Sequence, residues 1–170
     1  MSDEQARPIG RWTDNPYAAD LGDMDAMAAL TDGAARLHAI VGRLTPEQMA
    51  SSYAPGKWTA AQLLVHLAQC EFMFGARVRM ALTQEGYTVQ PFDQDAWLLR
   101  ESGTDGRIAF WAYYAMRHLN LQLFSTLSEE DRRRPCHHPE RGPMRVQGIL
   151  EALAGHERHH LPHFETIAGS

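Results

Sequence analysis

The sequence predicts an all-α protein, a four-helix bundle with up-up-down-down topology and two long crossover connections. Three observations predict it. Four segments carry apolar residues at three- and four-residue steps, the period of a helix face turned to a core. No segment shows the two-residue alternation of a half-buried strand. Residues 45–58 and 128–144 form long connections, and each follows a leucine with Thr/Ser-x-Glu.

The elements follow in order. Residues 1–22 hold Pro8, Asn15, Pro16 and few apolar anchors, so a loosely held arm is expected before a single domain over 23–170. From Asp23 to Leu44, the residues Met27, Leu30, Ala34, Leu37, Val41 and Leu44 make one buried stripe. In LTPEQM, Thr45 can cap, Pro46 suits a first helical position and Gln48 closes a capping box, which predicts one short helical turn. A second long helix runs from Thr59 to about Thr83, with Leu63, Leu67, Cys70, Phe74, Val78 and Ala81 in register, and Gly86 ends it. Residues 87–103 connect it, through PFDQDAWLLR, to a third helix from Asp105 to Leu127 that is rich in aromatics. LSEED repeats the chemistry of LTPEQ, and PCHHPERGP reads as a loop. The fourth helix starts at about Arg145 and turns Val146, Ile149, Leu150 and Leu153 inward. Pro162, lacking an amide hydrogen, is expected to kink or end it.

A weak internal repeat is visible. Aligning Trp58 with Met144 pairs Leu63 with Ile149, Leu64 with Leu150, Leu67 with Leu153 and Glu71 with Glu157. An extended connection at ~3.3 Å per residue can travel back along a helix of ~35 Å, so parallel neighbours are allowed.

A chain of 170 residues with net charge −5 has room for one substantial core and no broad cationic field for nucleic acid. No apolar run reaches membrane-spanning length and the polar start is unlike a signal peptide. Two cysteines, Cys70 and Cys136, are too few for a disulfide framework and fit a reducing cytoplasm.

Nine histidines are the oddity of the composition, and GHERHHLPH (155–163) places four of them near the end of the chain. This stretch contains HExxH, which a zinc protease, another metal site or a polar helix face could each explain. Proteases of that signature take a third ligand downstream. Only ten residues follow His160 here, and Glu165 sits on the same helix. The protease reading therefore fails. The inner stripe Val146, Ile149, Leu153 continues in phase as His156, His160 and His163. Residues four apart share a face, so His156 and His160 can aim at one point. His159 is rotated outward, and Pro162 leaves the direction of His163 open. A third ligand must come from upstream, and His66 lies beside Leu63 and Cys70 at a matching depth if the second and fourth helices are antiparallel. The alternative is a set of hydrogen-bonded core histidines.

PGKWT (55–59) leading into a helix with His66-Leu67, the segment PFDQDAW (91–97) and His156-x-x-x-His160 resemble the DinB superfamily in its YfiT-like branch, over about residues 25–167. The resemblance implies a four-helix bundle and one divalent ion, zinc or nickel first and manganese or iron next, held by His66, His156 and His160. It implies a low-molecular-weight thiol (bacillithiol, mycothiol or glutathione) transferred to an electrophilic small molecule, with a metal-dependent hydrolase as the other enzyme class. A non-catalytic metal-binding stress protein is the third expectation. Relatives often carry an acidic residue three positions after the first histidine, where this chain has Gln69. That carboxylate is then either missing or supplied by Glu71, Asp93 or Asp95. Glu71, Asp93 and Glu157 are the weak catalytic candidates, although a solvated helix position is the plainer expectation for Glu157. Cys70 is expected in the core, Cys136-His137-His138 in an exposed turn, and Trp97, Trp111, Tyr113 and Tyr114 in the core or at a homodimer face.

Overall fold

Side-chain caps mark the start of six of the helices. The computed structural model describes residues 9–170, with α1 (Ala18–Leu21), α2 (Ala26–Val41), α3 (Pro46–Met49), α4 (Ala60–Thr83), α5 (Gln94–Arg100), α6 (Gly106–Ser125), α7 (Glu129–Arg133), β1 (Pro135–His138), β2 (Gly142–Arg145) and α8 (Val146–Ala168). Thr59 and Gln62 close a capping box on α4, as Thr45 and Gln48 do on α3 and Ser128 and Asp131 on α7. Asp25, Asp93 and Asp105 accept from the first-turn amides of α2, α5 and α6. Each cap satisfies backbone donors that have no partner inside the helix.

The four long helices α2, α4, α6 and α8 form the bundle. Helix α4 packs on α6 and α8, and α2 packs on α8 and α6. Their directions come from paired contacts. Arg107 donates to Leu44 O and Arg117 to Leu30 O, so α2 and α6 are antiparallel. Gly106 faces Ala61 and Asn120 donates to Glu71 O, so α4 and α6 are parallel. Gly33 faces Glu157 and Arg36 reaches Glu165, so α2 and α8 are parallel. His66 meets the His160 ring while Cys70 faces His156, which sets α4 against α8. The four-helix bundle is as expected, but its helices run up-down-down-up rather than up-up-down-down. Only residues 84–105 cross the length of the bundle. Residues 42–59 and 126–145 are long enough to cross, yet α3, α7 and the β strands fold each back on one end.

Three local expectations are corrected. PCHHPERGP is not a plain loop. Pro135–His138 and Gly142–Arg145 pair antiparallel with Cys136 opposite Met144, both buried, and Gly142 takes the positive φ of the turn. The crossover joins this hairpin, for His137 N donates to Tyr87 O and Val89 N to His137 O. Prolines bracketing two four-residue strands hide their alternation. Pro162 does not end α8, which continues to Ala168.

The third concerns the N-terminal arm. Residues 1–8 lie outside the described residues, but from residue 9 onward the segment is packed rather than loosely held. Trp12 is 9% exposed, lies over Gly148, and its amide donates to Glu151; Tyr17 lies over Gly155. Two glycines seven residues apart open a groove on one face of α8 that a side chain at either position would fill.

Apolar residues form two clusters, one around Leu30, Phe124, Ile149 and Leu150, the other around Leu37, Leu64, Tyr113 and Phe164. Between them lies a buried polar layer of histidines, two glutamates, Arg117 and Asn120. Among the described residues no helix is long and apolar enough to cross a membrane.

Candidate metal centre

Helix α4 carries His66 on its face toward α8, and α8 returns His156 and His160 one turn apart. All three are buried. His66 Nε2 lies 2.8 Å from His156 Nε2, and His160 Nε2 lies 3.2 Å from that same atom. One ring nitrogen from each of the three falls within 4.8 Å of the others. A zinc ion with Zn–N bonds of about 2.0–2.1 Å in tetrahedral geometry spaces its nitrogens by ~3.3 Å. The 2.8 and 3.2 Å separations lie close to that spacing, and the set as a whole falls within 4.8 Å.

Burial keeps these rings neutral. It pushes the His66 pKa down to about 4. It also lowers His156 and His160, each further depressed by the neighbouring imidazoles. Neutral imidazoles present lone pairs, the form in which a metal is bound. His156 Nδ1 is buried without a partner among the described residues, so no hydrogen bond holds this ring from the nitrogen that faces away from the other two imidazoles. The rings are held by packing instead: Tyr17 edge-on to His156 at 5.0 Å and Trp58 on His66 at 4.9 Å. His163, whose direction was open, turns toward the site. Its Nδ1 lies 3.3 Å from His160 Nδ1 and its ring stacks on Tyr53 at 3.9 Å. His159 is exposed, as expected, and lies 3.4 Å from Asp20. Cys70 is in the core, as expected, yet its Sγ is 3.7 Å from His66 Nε2. Burial raises its pKa and keeps it a thiol.

Among the described residues no carboxylate joins the three histidines. Glu71 and Glu157 are both 1% exposed and both bound to Arg117. Arg117 Nη2 donates to Glu71 Oε1 at 2.6 Å, and Nη1 donates to Glu157 Oε2 at 2.6 Å and to Leu30 O at 2.9 Å. Asn120 Nδ2 donates to Glu71 Oε2 at 3.0 Å, and the Tyr113 hydroxyl donates to Glu157. Burial opposes the Arg117 charge, but the two carboxylates outweigh it and hold the guanidinium protonated. Glu157 is therefore a buried ion-pair partner rather than a solvated helix residue. Asp93 caps α5, Asp95 is exposed, and Gln69 donates to Glu101 at 2.9 Å. The network was missed, although Phe110, Tyr113, Arg117, Asn120 and Phe124 keep one helical phase in the sequence and place Arg117 on the buried stripe.

A cleft of about 220 Å³ leads to His66 and His156. Trp12, Tyr17, Phe74 and Phe92 line it, with Arg77 and His138 among them. Cys136-His137-His138 is a strand, not an exposed turn: Cys136 is buried, and His138 faces the cleft beside Trp12.

The chain matches the family model of the DinB superfamily over residues 29–163. It is 30% identical over 125 residues, 73% of either chain, to a protein of Oceanobacillus iheyensis named "putative metal-dependent hydrolase". A protein of the same name in Bacillus cereus is 24% identical over 162 residues, 94% of this chain and 93% of the relative. The fold is similar to that of YfiT from Bacillus subtilis, described as a probable metal-dependent hydrolase with an unusual four-helix bundle topology. The TM-score is 0.77 at 22% identity, over 96% of this chain and 90% of that one.

Proposed function

This chain belongs to the DinB superfamily, and we propose that it is a metal-dependent enzyme that transfers a low-molecular-weight thiol to an electrophilic small molecule. His66, His156 and His160 hold one divalent ion, zinc or nickel before manganese or iron. The observation that carries the choice of reaction is that both nearby glutamates are committed to Arg117, so that no carboxylate among the described residues is free at the histidines to shuttle protons. A reaction that leaves proton traffic to its own substrate suits such a site.

A divalent ion held there supplies a positive charge that stabilises thiolate over thiol near neutral pH. The residues do the rest. Three neutral imidazoles would fill only part of such an ion's coordination, and Tyr17 and Trp58 pack against two of the rings. The aromatic walls exclude water from an apolar electrophile. In the transfer, the thiol proton leaves to solvent, the sulfur forms a bond to the electrophilic carbon, and the leaving group departs with its electron pair.

The test is conjugation of bacillithiol, mycothiol or glutathione to monobromobimane by protein loaded with zinc or nickel. Thiol consumption should exceed that of His66→Ala at least tenfold with one of the three. Rates equal to the variant with all three would reject thiol transfer. The second reading, metal-dependent hydrolysis, is favoured by the names of the relatives. It predicts turnover of an activated ester by the loaded protein without any thiol.

A further inference from the structure

Among the described residues, Arg77 is a buried cation without a counter-ion. It lies on α4 in the phase of His66, Cys70 and Phe74, and like Phe74 it lines the cleft that reaches the histidines. The residue is 7% exposed. Its Nη2 donates to Gln90 O at 2.7 Å, while Nε–H is buried with no acceptor. The guanidinium lies over the rings of Phe74 and Phe92, at 4.9 and 5.9 Å from their centroids. No described carboxylate comes within 4 Å of it; Glu140, at the cleft mouth, is exposed and makes no ion pair.

Burying a charge is costly unless an opposite charge or a full set of acceptors compensates it. Arg117, one helix away in the core, shows what compensation looks like in this fold: two carboxylates and a carbonyl. Arg77 has one carbonyl and two aromatic faces. A guanidinium fork matches a carboxylate with two parallel N–H···O bonds, and burial, which lowers the Arg77 pKa, makes such a partner more favourable. His138 faces the same cleft, and the exposed Arg141 stands at its mouth. The nearby carboxylate of Glu140 sets a local limit on that positive field.

We propose that Arg77 anchors a carboxylate of the small molecule that occupies the cleft, so that the ligand is anionic at the end remote from the histidines. Eleven residues separate His66 from Arg77, ~16 Å along the helix axis. The arginine side chain leans back toward the helix N-terminus, which shortens the span to be bridged. The assignment deepens the enzyme proposal and rests on it only for which end of the ligand reacts.

Binding to metal-free protein tests it. Phenylacetate is titrated beside phenylacetamide, and 3-mercaptopropionate beside its amide, by calorimetry. Each acid should bind at least tenfold more tightly than its amide. The preference should fall below twofold in Arg77→Gln and stay above threefold in Arg77→Lys, with both variants folded by circular dichroism. Absence of binding by both acids, equal binding of acids and amides, a preference that survives Arg77→Gln, or equal losses in the Gln and Lys variants would overturn it. Because no metal is present, failure of the metal centre leaves this result intact, and His66→Ala should keep the preference.

Discussion

Glu71 on α4 and Glu157 on α8 are held by one guanidinium, that of Arg117, in the centre of the bundle. The two glutamates also correspond in the internal repeat, so a single arginine joins equivalent positions of the two halves. Removing it strands two buried carboxylates. Arg117→Met should destabilise the fold by about 3–5 kcal/mol, the usual cost of breaking a buried ion pair from one side, read by urea denaturation. A loss below 1 kcal/mol would show that the network contributes little.

The same geometry separates structural from catalytic glutamates. Glu71→Gln and Glu157→Gln should each lower stability by about 1–3 kcal/mol while metal content stays at that of wild type. Loss of metal in either variant would place a carboxylate in the metal centre and count against the reading given above.

Elemental analysis of untagged protein should find about one divalent ion per chain, lost in His66→Ala, His156→Ala and His160→Ala. Reconstitution that fails with zinc, nickel, manganese and iron would leave a buried polar seam and no metal site.

The metal-free protein should lose stability in mild acid. The ordinary histidine pKa is near 6.5, and the folded His66 value is pushed down to about 4. Between those values the unfolded chain takes up a proton that the folded chain refuses, so stability falls as pH drops through the window and levels off below it for this group. His156 and His160, depressed as well, act in the same direction. Denaturation midpoints at pH 7 and pH 5 measure it. The fall should be shallower in His66→Gln, and equal slopes would remove His66 as its cause.

Gly33 is the space in which the Glu157 carboxylate sits, and a β-carbon there would overlap it. Gly33→Ala gains helix propensity yet should destabilise by about 1–3 kcal/mol through overpacking. A more stable variant would mean that Glu157 has room to move.

What the sequence made legible was local. Thr45, Thr59 and Ser128 announce helix starts because a cap needs only residues three apart, and His156 and His160 announce one face because four residues are one turn. Helix direction was not legible. Residues 45–58 are long enough to cross the bundle or to fold on one end, and contacts distant in sequence, such as Arg107 with Leu44, decide between them. His66 was found because its depth from one helix end matched that of His160 from another, a match that needs α4 and α8 antiparallel but not the whole topology. The role of Glu157 was missed because its partner is on a different helix. Arg117 carries a charge that sequence alone assigns to the surface, although its phase with Tyr113 and Phe124 marks it as buried. The groove for Trp12 and Tyr17 was missed because glycines within a helix, Gly148 and Gly155, signal weakness in sequence and space in three dimensions.

The segment 84–105 alone travels the length of the bundle, and it carries Val89, Pro91, Phe92 and Gln94 into the cleft wall. The histidines stand on two helices locked by core packing, whereas this wall hangs on a connection. Replacing it would re-cut the ligand's shape while leaving the converging imidazoles untouched. The fold thus separates the inheritance of a reactive centre from the choice of what reaches it, and chains that share the three histidines need not share a substrate.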